Sequence, residues 1–236
     1  GLPVSAQPPP SVLAPWAGGP VTTHAFCVLA PNPGPMTLDG TNTWIVMDPE
    51  GDEAIVIDPG PLDEGHLAEV VRVVEGRGAR VRETILTHHH LDHSEAGPRF
   101  AELTGSRVRA VGRGHDDLAD GDVVRVRGVD LRVVATPGHT ADSISFALEA
   151  DHALLTGDTV LGRGTTVVAH PDGQLDAYLD SLERIRALTG SGAVTTILPG
   201  HGPVVPDAAA MVEFYRVHRH ERLDQVRAAL AERPVD

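Results

Sequence analysis

The stretch Thr87-His88-His89-His90-Leu91-Asp92-His93 decides how the rest of the chain is read. It packs four imidazoles and a carboxylate into seven residues. Such groups are costly to hold in a fold unless they bind something or face water. Neutral imidazole and carboxylate are the ligands of borderline divalent metals such as zinc. Upstream, Val81 to Thr87 reads as a short strand, and downstream Ser94-Glu95-Ala96 has the residues to open a helix. On a strand-like segment side chains alternate, so His88 and His90 point to one side and His89 faces away, toward solvent or the rim. Asp92 and His93 then turn toward a second position.

Outward from this cluster the periodicities alternate between strand and helix. His24 to Ala30, Asn42 to Met47 and Glu53 to Asp58 read as strands, the last two joined by the turn residues Asp48-Pro49-Glu50-Gly51-Asp52. Between Asp63 and Gly76, Leu67, Val70, Val71 and Val74 recur at helical spacing, which predicts a helix leading back to the strand before the cluster. Glu95 to Leu103 predicts a short helix stopped by Gly105, and Arg107 to Val111 a strand. Asp122 to Ala135 and Ser143 to Leu155 read as two hairpins. Leu175 to Leu188 is amphipathic, Ala193 to Leu198 is a buried strand, and Asp207 to Glu232 reads as one long helix or two broken ones. Each half runs strands and then helix, so two packed sheets with helices on their outer faces are expected.

Length and composition narrow the class. With 236 residues and 41% hydrophobic content the chain can bury one large core, and a single catalytic domain over residues 21–236 is expected. Residues 1–20 are rich in Pro, Gly and Ala and read as a flexible arm without chemistry. A net charge of -14 argues against a general nucleic-acid binder held by phosphate contacts. Every basic residue other than histidine is arginine, which reads as a coding preference rather than a phosphate grip. The single cysteine, Cys27, excludes an intrachain disulfide and reads as a buried strand position. There is no charged leader and no apolar run of membrane-spanning length, so a cytoplasmic address is expected, with no membrane and no protein partner.

Three later stretches place a His or Asp beside glycine after an aliphatic run: Pro137-Gly138-His139, Gly157-Asp158 and Pro199-Gly200-His201. Each alone is an ordinary turn, but in this order with the cluster they resemble the metallo-β-lactamase superfamily pattern, His-x-His-x-Asp-His followed by a His, an Asp and a final His. The resemblance implies an α/β fold, the αββα four-layer metallo-β-lactamase sandwich, from about residue 24 onward. It implies two divalent metal ions, with zinc expected and manganese or iron as alternatives. His88, His90 and His139 would hold one, Asp92, His93 and His201 the other, and Asp158 would bridge. A metal-bridging hydroxide would then be the nucleophile, with Asp92 and Asp158 as the catalytic carboxylates and Asp92 orienting the hydroxide.

A narrower resemblance rests on Asn32 to Thr43, Leu161 to Val167 and Pro199 to Pro203, which look like the β-lactamase-like protein 2 group. That resemblance implies an endoribonuclease-like metallohydrolase acting on single-stranded RNA phosphodiesters. The alternative is a thioesterase or lactonase like the hydroxyacylglutathione hydrolases, acting on a small molecule, although no equivalent of their glutathione-gripping basic residues is found. A binding module that holds metal without turnover is the reading from a different class, and metal content after purification separates it from a binuclear enzyme. The group usually continues into a small winged-helix module, whereas this sequence stops at Asp236, so contacts made by such a module are expected to be absent. Among the remaining residues, His24, His66, His115, His152, His170, His218 and His220 read as surface or capping residues. Thr41 and Asn42 read as pocket-lining residues or as an ordinary turn before a strand, with the turn favoured. Arg163 reads equally as a surface residue and as a contact for an anionic substrate group.

Overall fold

The computed structural model describes residues 15–112 and 116–232. The first half of the chain runs β1 (Gly19–Pro20), β2 (Ala25–Leu29), β3 (Asn42–Met47), β4 (Glu53–Ile57), α1 (Glu64–Glu75), β5 (Arg80–Ile85), α2 (Leu91–Ser94), α3 (Gly97–Thr104), β6 (Arg107–Ala110) and β7 (Asp116–Asp117). The second half runs β8 (Val123–Val126), β9 (Val129–Ala135), β10 (Ile144–Leu148), β11 (Ala153–Gly157), α4 (Leu175–Gly190), β12 (Thr196–Pro199) and α5 (Ala208–Ala231). Strands β1 to β7 lie side by side in chain order in one sheet, and the other has the order β12-β11-β10-β9-β8.

Burial on both sides of each sheet explains the near-continuous apolar strands. In β3, Trp44 and Val46 face the other sheet while Ile45 and Met47 face the helices; in β4, Ile55 and Ile57 face inward and Ala54 and Val56 outward. Between the sheets these residues meet Phe146, Leu148, Leu155 and Leu198. Outside the first sheet Leu67, Val70 and Val74 of α1 and Phe100 of α3 complete one outer core. Outside the second, Tyr178, Leu182 and Ile185 of α4 pack with Met211, Val212 and Tyr215 of α5. Three apolar layers between four layers of secondary structure make the αββα sandwich.

Local chemistry sets the crossovers. The Asp63 carboxylate caps α1 by accepting from the His66 amide at 2.8 Å, and Gly105, with φ 71°, ends α3 in the left-handed region that favours glycine. These helices carry the chain from β4 to β5 and from β5 to β6, both parallel pairs. In the second sheet β8, β9, β10 and β11 pair antiparallel, while β12 joins β11 in parallel. The segments that follow β4, β5, β9, β11 and β12 gather at one edge, where loops carry chemistry on a rigid base.

Two expectations change and one open reading is settled. The arm does not extend to Pro20: Gly19 and Pro20 pair with Cys27 and Phe26, and Trp16 Nε1 donates to Asn42 Oδ1 at 2.7 Å, because Trp16 and Val21 find apolar cover at the edge of the inter-sheet core. The first fourteen residues, and His115, lie outside the described residues. The long C-terminal apolar pattern is one helix, α5. His66 is a buried core residue rather than a surface one: its Nε2 lies 2.8 Å from Thr43 Oγ1, and burial lowers its pKa.

Candidate metal centre

All seven residues named as ligands from sequence come together at the gathered edge. Their donor atoms form two groups, His88, His90, His139 and Asp158, and Asp92, His93, Asp158 and His201, with the atoms of each group within 4.8 Å of one another. The segment from Leu86 to His90 continues beyond β5, held by the Leu86 amide on the Arg109 carbonyl and by the Ile144 amide on the Thr87 carbonyl; His88 and His90 reach one group while the one-turn helix α2 carries Asp92 and His93 to the other. Asp158 lies between them. Its Oδ2 is 3.8 Å from His88 Nε2, 3.6 Å from His139 Nε2 and 3.5 Å from His201 Nε2, and its Oδ1 is 3.2 Å from His93 Nε2.

Glycines beside the ligands are needed for space. At Gly157, φ is 51° and a Cβ would stand 2.7 Å from the Thr87 side chain. At Gly200 it would meet Asp158 Oδ1 at 2.6 Å and His93 Cε1 at 2.8 Å. Any larger residue at either position would push the loops apart by about the width of a methyl group.

The donor set fits divalent cations. Within the first group His90 Nδ1 and His139 Nε2 face each other at 3.2 Å; within the second, His93 Nε2 and His201 Nε2 do so at 3.1 Å. His88 Nε2 and Asp158 Oδ1 are buried with no hydrogen-bond partner among the described residues. Converging lone pairs and orphaned buried acceptors are what a cation would satisfy.

The opposite ring nitrogens are fastened, which sets the tautomers. His93 Nδ1 donates to Asp58 Oδ2 at 2.9 Å, His139 Nδ1 to the Val167 carbonyl at 2.6 Å and His201 Nδ1 to the Gly40 carbonyl at 3.0 Å. His88 Nδ1 lies 3.0 Å from Thr87 Oγ1, whose hydroxyl donates to Asp58 Oδ2 at 2.7 Å. Asp58 also accepts from the Thr87 amide at 2.8 Å. One carboxylate therefore orients a histidine of each group, and its residue holds a φ of 53°, a strained value for a non-glycine.

Without metal the two groups titrate in opposite directions. Burial lowers the His88 and His90 pKa values, and their imidazole neighbours add to the effect. At His93 burial also opposes the charge, but the Asp158 and Asp58 carboxylates outweigh it and raise the pKa well above the usual value. His201, where Asp158 likewise outweighs burial, is raised to about 9. Asp158 and Asp92 are driven the other way: burial opposes their charge, yet His93 and His201 hold both well below the usual carboxylate range.

Reading the residues alone missed three supports. Asp58 was read only as the end of a strand before Pro59-Gly60, although an aspartate at the tip of a core strand is a signal for the same edge. Thr87 had no assigned role. Asn42 does more than make a turn: its Nδ2 donates to the Pro199 and Gly202 carbonyls, both at 2.9 Å, and its amide to the Gly200 carbonyl at 2.8 Å, so it holds the loop bearing His201. Arg163 is paired with Asp39. His170 is exposed, but its neighbours Val167, Ala169 and Asp172 line the cleft above the centre together with Met36, Thr37, His90, Asp92, His139 and Asp158, around a volume of about 240 Å³. No helix among the described residues is long and apolar enough to cross a membrane.

Two sheets, outer helices and this ligand order define a class. A family model described as the metallo-beta-lactamase superfamily matches residues 36–118 and 110–201, and the chain belongs to that superfamily. It is 36% identical over 217 residues to the atrochrysone carboxyl ACP thioesterase of Aspergillus chevalieri, covering 90% of this chain and 67% of that protein. It is 33% identical over 218 residues to the beta-lactamase-like protein 2 homolog of Caenorhabditis elegans, covering 87% of this chain and 70% of that one, which supports the narrower grouping. The chain spans between 62% and 70% of the length of such relatives. Among solved structures, a beta-lactamase domain protein from Burkholderia ambifaria superposes with a TM-score of 0.77 at 25% identity, covering 95% of this chain and 82% of that one. The protein is thus a superfamily hydrolase with a His/Asp centre able to hold metal.

Proposed function

We propose that the chain is a binuclear metal-dependent hydrolase of acyl thioesters. The observation that carries the choice of substrate is the lining of the cleft: among the described residues it has no arginine, the chain has no lysine, and its walls are Met36, Val167 and Ala169 with Asp172 at the rim. Met36 and Val167 are 67% and 47% exposed and present apolar surface to the cleft. A polyanionic RNA backbone needs cations along its path, and a neutral acyl thioester does not. The thioesterase relative from Aspergillus chevalieri supports the same reading. The nuclease reading rests on the sequence resemblance to the β-lactamase-like protein 2 group, and the cleft favours it less.

When bound, a pair of divalent cations, zinc first among them, supplies Lewis acidity that makes water nucleophilic near neutral pH and polarises the scissile carbonyl. The chain supplies the rest. His88, His90 and His139 on one side and Asp92, His93 and His201 on the other would hold the ions, with Asp158 between. Asp92, its side chain 30% exposed and lining the cleft, is placed to accept a hydrogen bond from an entering water and orient it. Met36 and Val167 hold the acyl portion and keep bulk water from it.

Metal-loaded protein offered acetoacetyl-N-acetylcysteamine and labelled single-stranded RNA in parallel tests the proposal. Thioester hydrolysis abolished by His90→Ala, with RNA left intact, is expected. RNA cleavage lost in the same variant, with the thioester untouched, would return the nuclease reading. Fewer than one equivalent of metal after chelator-free purification would sink the binuclear site itself.

A further inference from the structure

We infer that His89, the imidazole of the cluster outside both ligand groups, is a positioning residue that sets one wall of the cleft. Its Nδ1 lies 3.0 Å from Asp142 Oδ1 and its Nε2 3.3 Å from Asp172 Oδ2. Asp142 is buried on the loop that carries His139, and its Oδ1 also accepts from Thr140 Oγ1 at 2.8 Å. Asp172 lines the cleft, and its Oδ1 accepts from the Ala141 amide at 3.0 Å. Behind the ring, Ser94 Oγ donates to the His89 carbonyl at 2.7 Å. A single side chain of the cluster thereby joins the loop bearing His139 to the segment bearing Val167, Ala169 and Asp172.

That segment depends on such fastenings. From Asp158 to Gln174 the chain forms no helix or strand, so beyond a few backbone bonds, Gly162 to the His201 carbonyl, Gly173 to Ala169 and Gln174 to Gly138, its shape depends on side-chain contacts. Its first part is held by Arg163 on Asp39 and by Arg219 donating to the Thr166 carbonyl. Its cleft-lining part is held at Val167 by His139 Nδ1 and at Asp172 by His89 and the Ala141 amide. Removing His89 takes one of several fastenings from Asp172 and loosens that end of the wall while leaving the seven ligand side chains in place. The consequence falls on substrate binding more than on the chemical step.

The kinetic arm of the test rests on the hydrolase reading; the other two arms do not. His89→Phe keeps a ring against His90, 5.0 Å away between centroids, and removes both carboxylate contacts. Asp172→Asn keeps an acceptor for the Ala141 amide and weakens the contact to the imidazole. In metal-loaded protein both variants are expected to speed deuterium exchange of the Val167 to Gly173 amides about tenfold, with metal content unchanged. With acetoacetyl-N-acetylcysteamine, KM is expected to rise about tenfold with kcat changed far less. Unchanged exchange in both variants would overturn the inference. So would loss of an ion in His89→Phe, which would assign His89, with His90 and Asp172, to holding metal. If His89→Phe does not fold, Asp172→Asn carries the same three measurements. If the wild-type protein hydrolyses no thioester, the substrate proposal fails alone, and exchange and metal content still decide the role of His89.

Discussion

The two ligand groups share Asp158 but are supported by different chemistry. In the first, His139 is fastened to a neutral carbonyl and His88 reaches Asp58 only through the Thr87 hydroxyl. In the second, His93 meets Asp58 directly, and Asp92 is itself a member. In the first group burial keeps His88 and His90 neutral and ready for a cation; in the second His93 and His201 hold protons that a cation must displace. Two half-sites one carboxylate apart can therefore differ in loading order and in pH response.

The largest effect expected from breaking this arrangement comes from the shared residue. Asp158→Ala should lower kcat on the order of 10³-fold, because several kcal/mol of Lewis-acid stabilisation is lost when the bridging carboxylate goes. Elemental analysis of the same sample should find both ions depleted; two retained equivalents would show that Asp158 does not join the groups. Asp58→Asn separates them: metal affinity should drop about 10- to 100-fold in the second group and less in the first, where the hydroxyl intervenes. Stepwise metal titration by calorimetry would resolve two affinities, and an equal loss in both would contradict the difference drawn here.

The protons of the second group give a pH test. His201 is raised to about 9 in the metal-free protein, so its contribution to stability is full below its ordinary value of 6.5 and is lost as pH rises through about 9. Metal binding needs the neutral ring and runs the other way, tightening over the same window. Thermal melts from pH 6 to pH 9.5 should show chelator-treated protein losing stability while metal-loaded protein holds or gains; parallel curves would remove the proton-displacement account.

Smaller effects test the scaffold. Asn42→Ala strips two donors from the buried Pro199 and Gly202 carbonyls and should cost about 1–3 kcal/mol in denaturant unfolding. Its metal affinity should weaken chiefly in the group that contains His201. Arg163→Ala removes a half-exposed ion pair with Asp39 and should change stability by about 1 kcal/mol or less, with turnover near wild type. A large loss of turnover would move Arg163 into the substrate path.

Much of this architecture is legible because its signals are local. The continuous apolar run from Trp44 to Met47 marks a buried strand without reference to anything distant, and the spacing of Leu67, Val70 and Val74 marks a helix. The His-x-His-x-Asp-His run and three glycine-flanked strand ends carry their chemistry in their own residues, so reaction class and fold class follow from sequence. Everything that lies across the sheets was invisible. Asp58 meets Thr87 from 29 residues away, His89 meets Asp142 from 53, and Asn42 meets Pro199 from 157. In sequence each is a common polar residue in an ordinary turn.

By itself, then, the sequence determined which residues have the donor atoms to gather around metal, because ligand chemistry belongs to single side chains. The superfamily resemblance already divided those donors and left His89 outside them; only the tertiary structure decided how they are aimed and supported. It made Asp58 the common support of both groups, set His89 between Asp142 and Asp172, and lined the cleft with Met36 and Val167. Orientation, burial and charge pairing are properties of surfaces brought together by folding, and no single stretch of chain contains them.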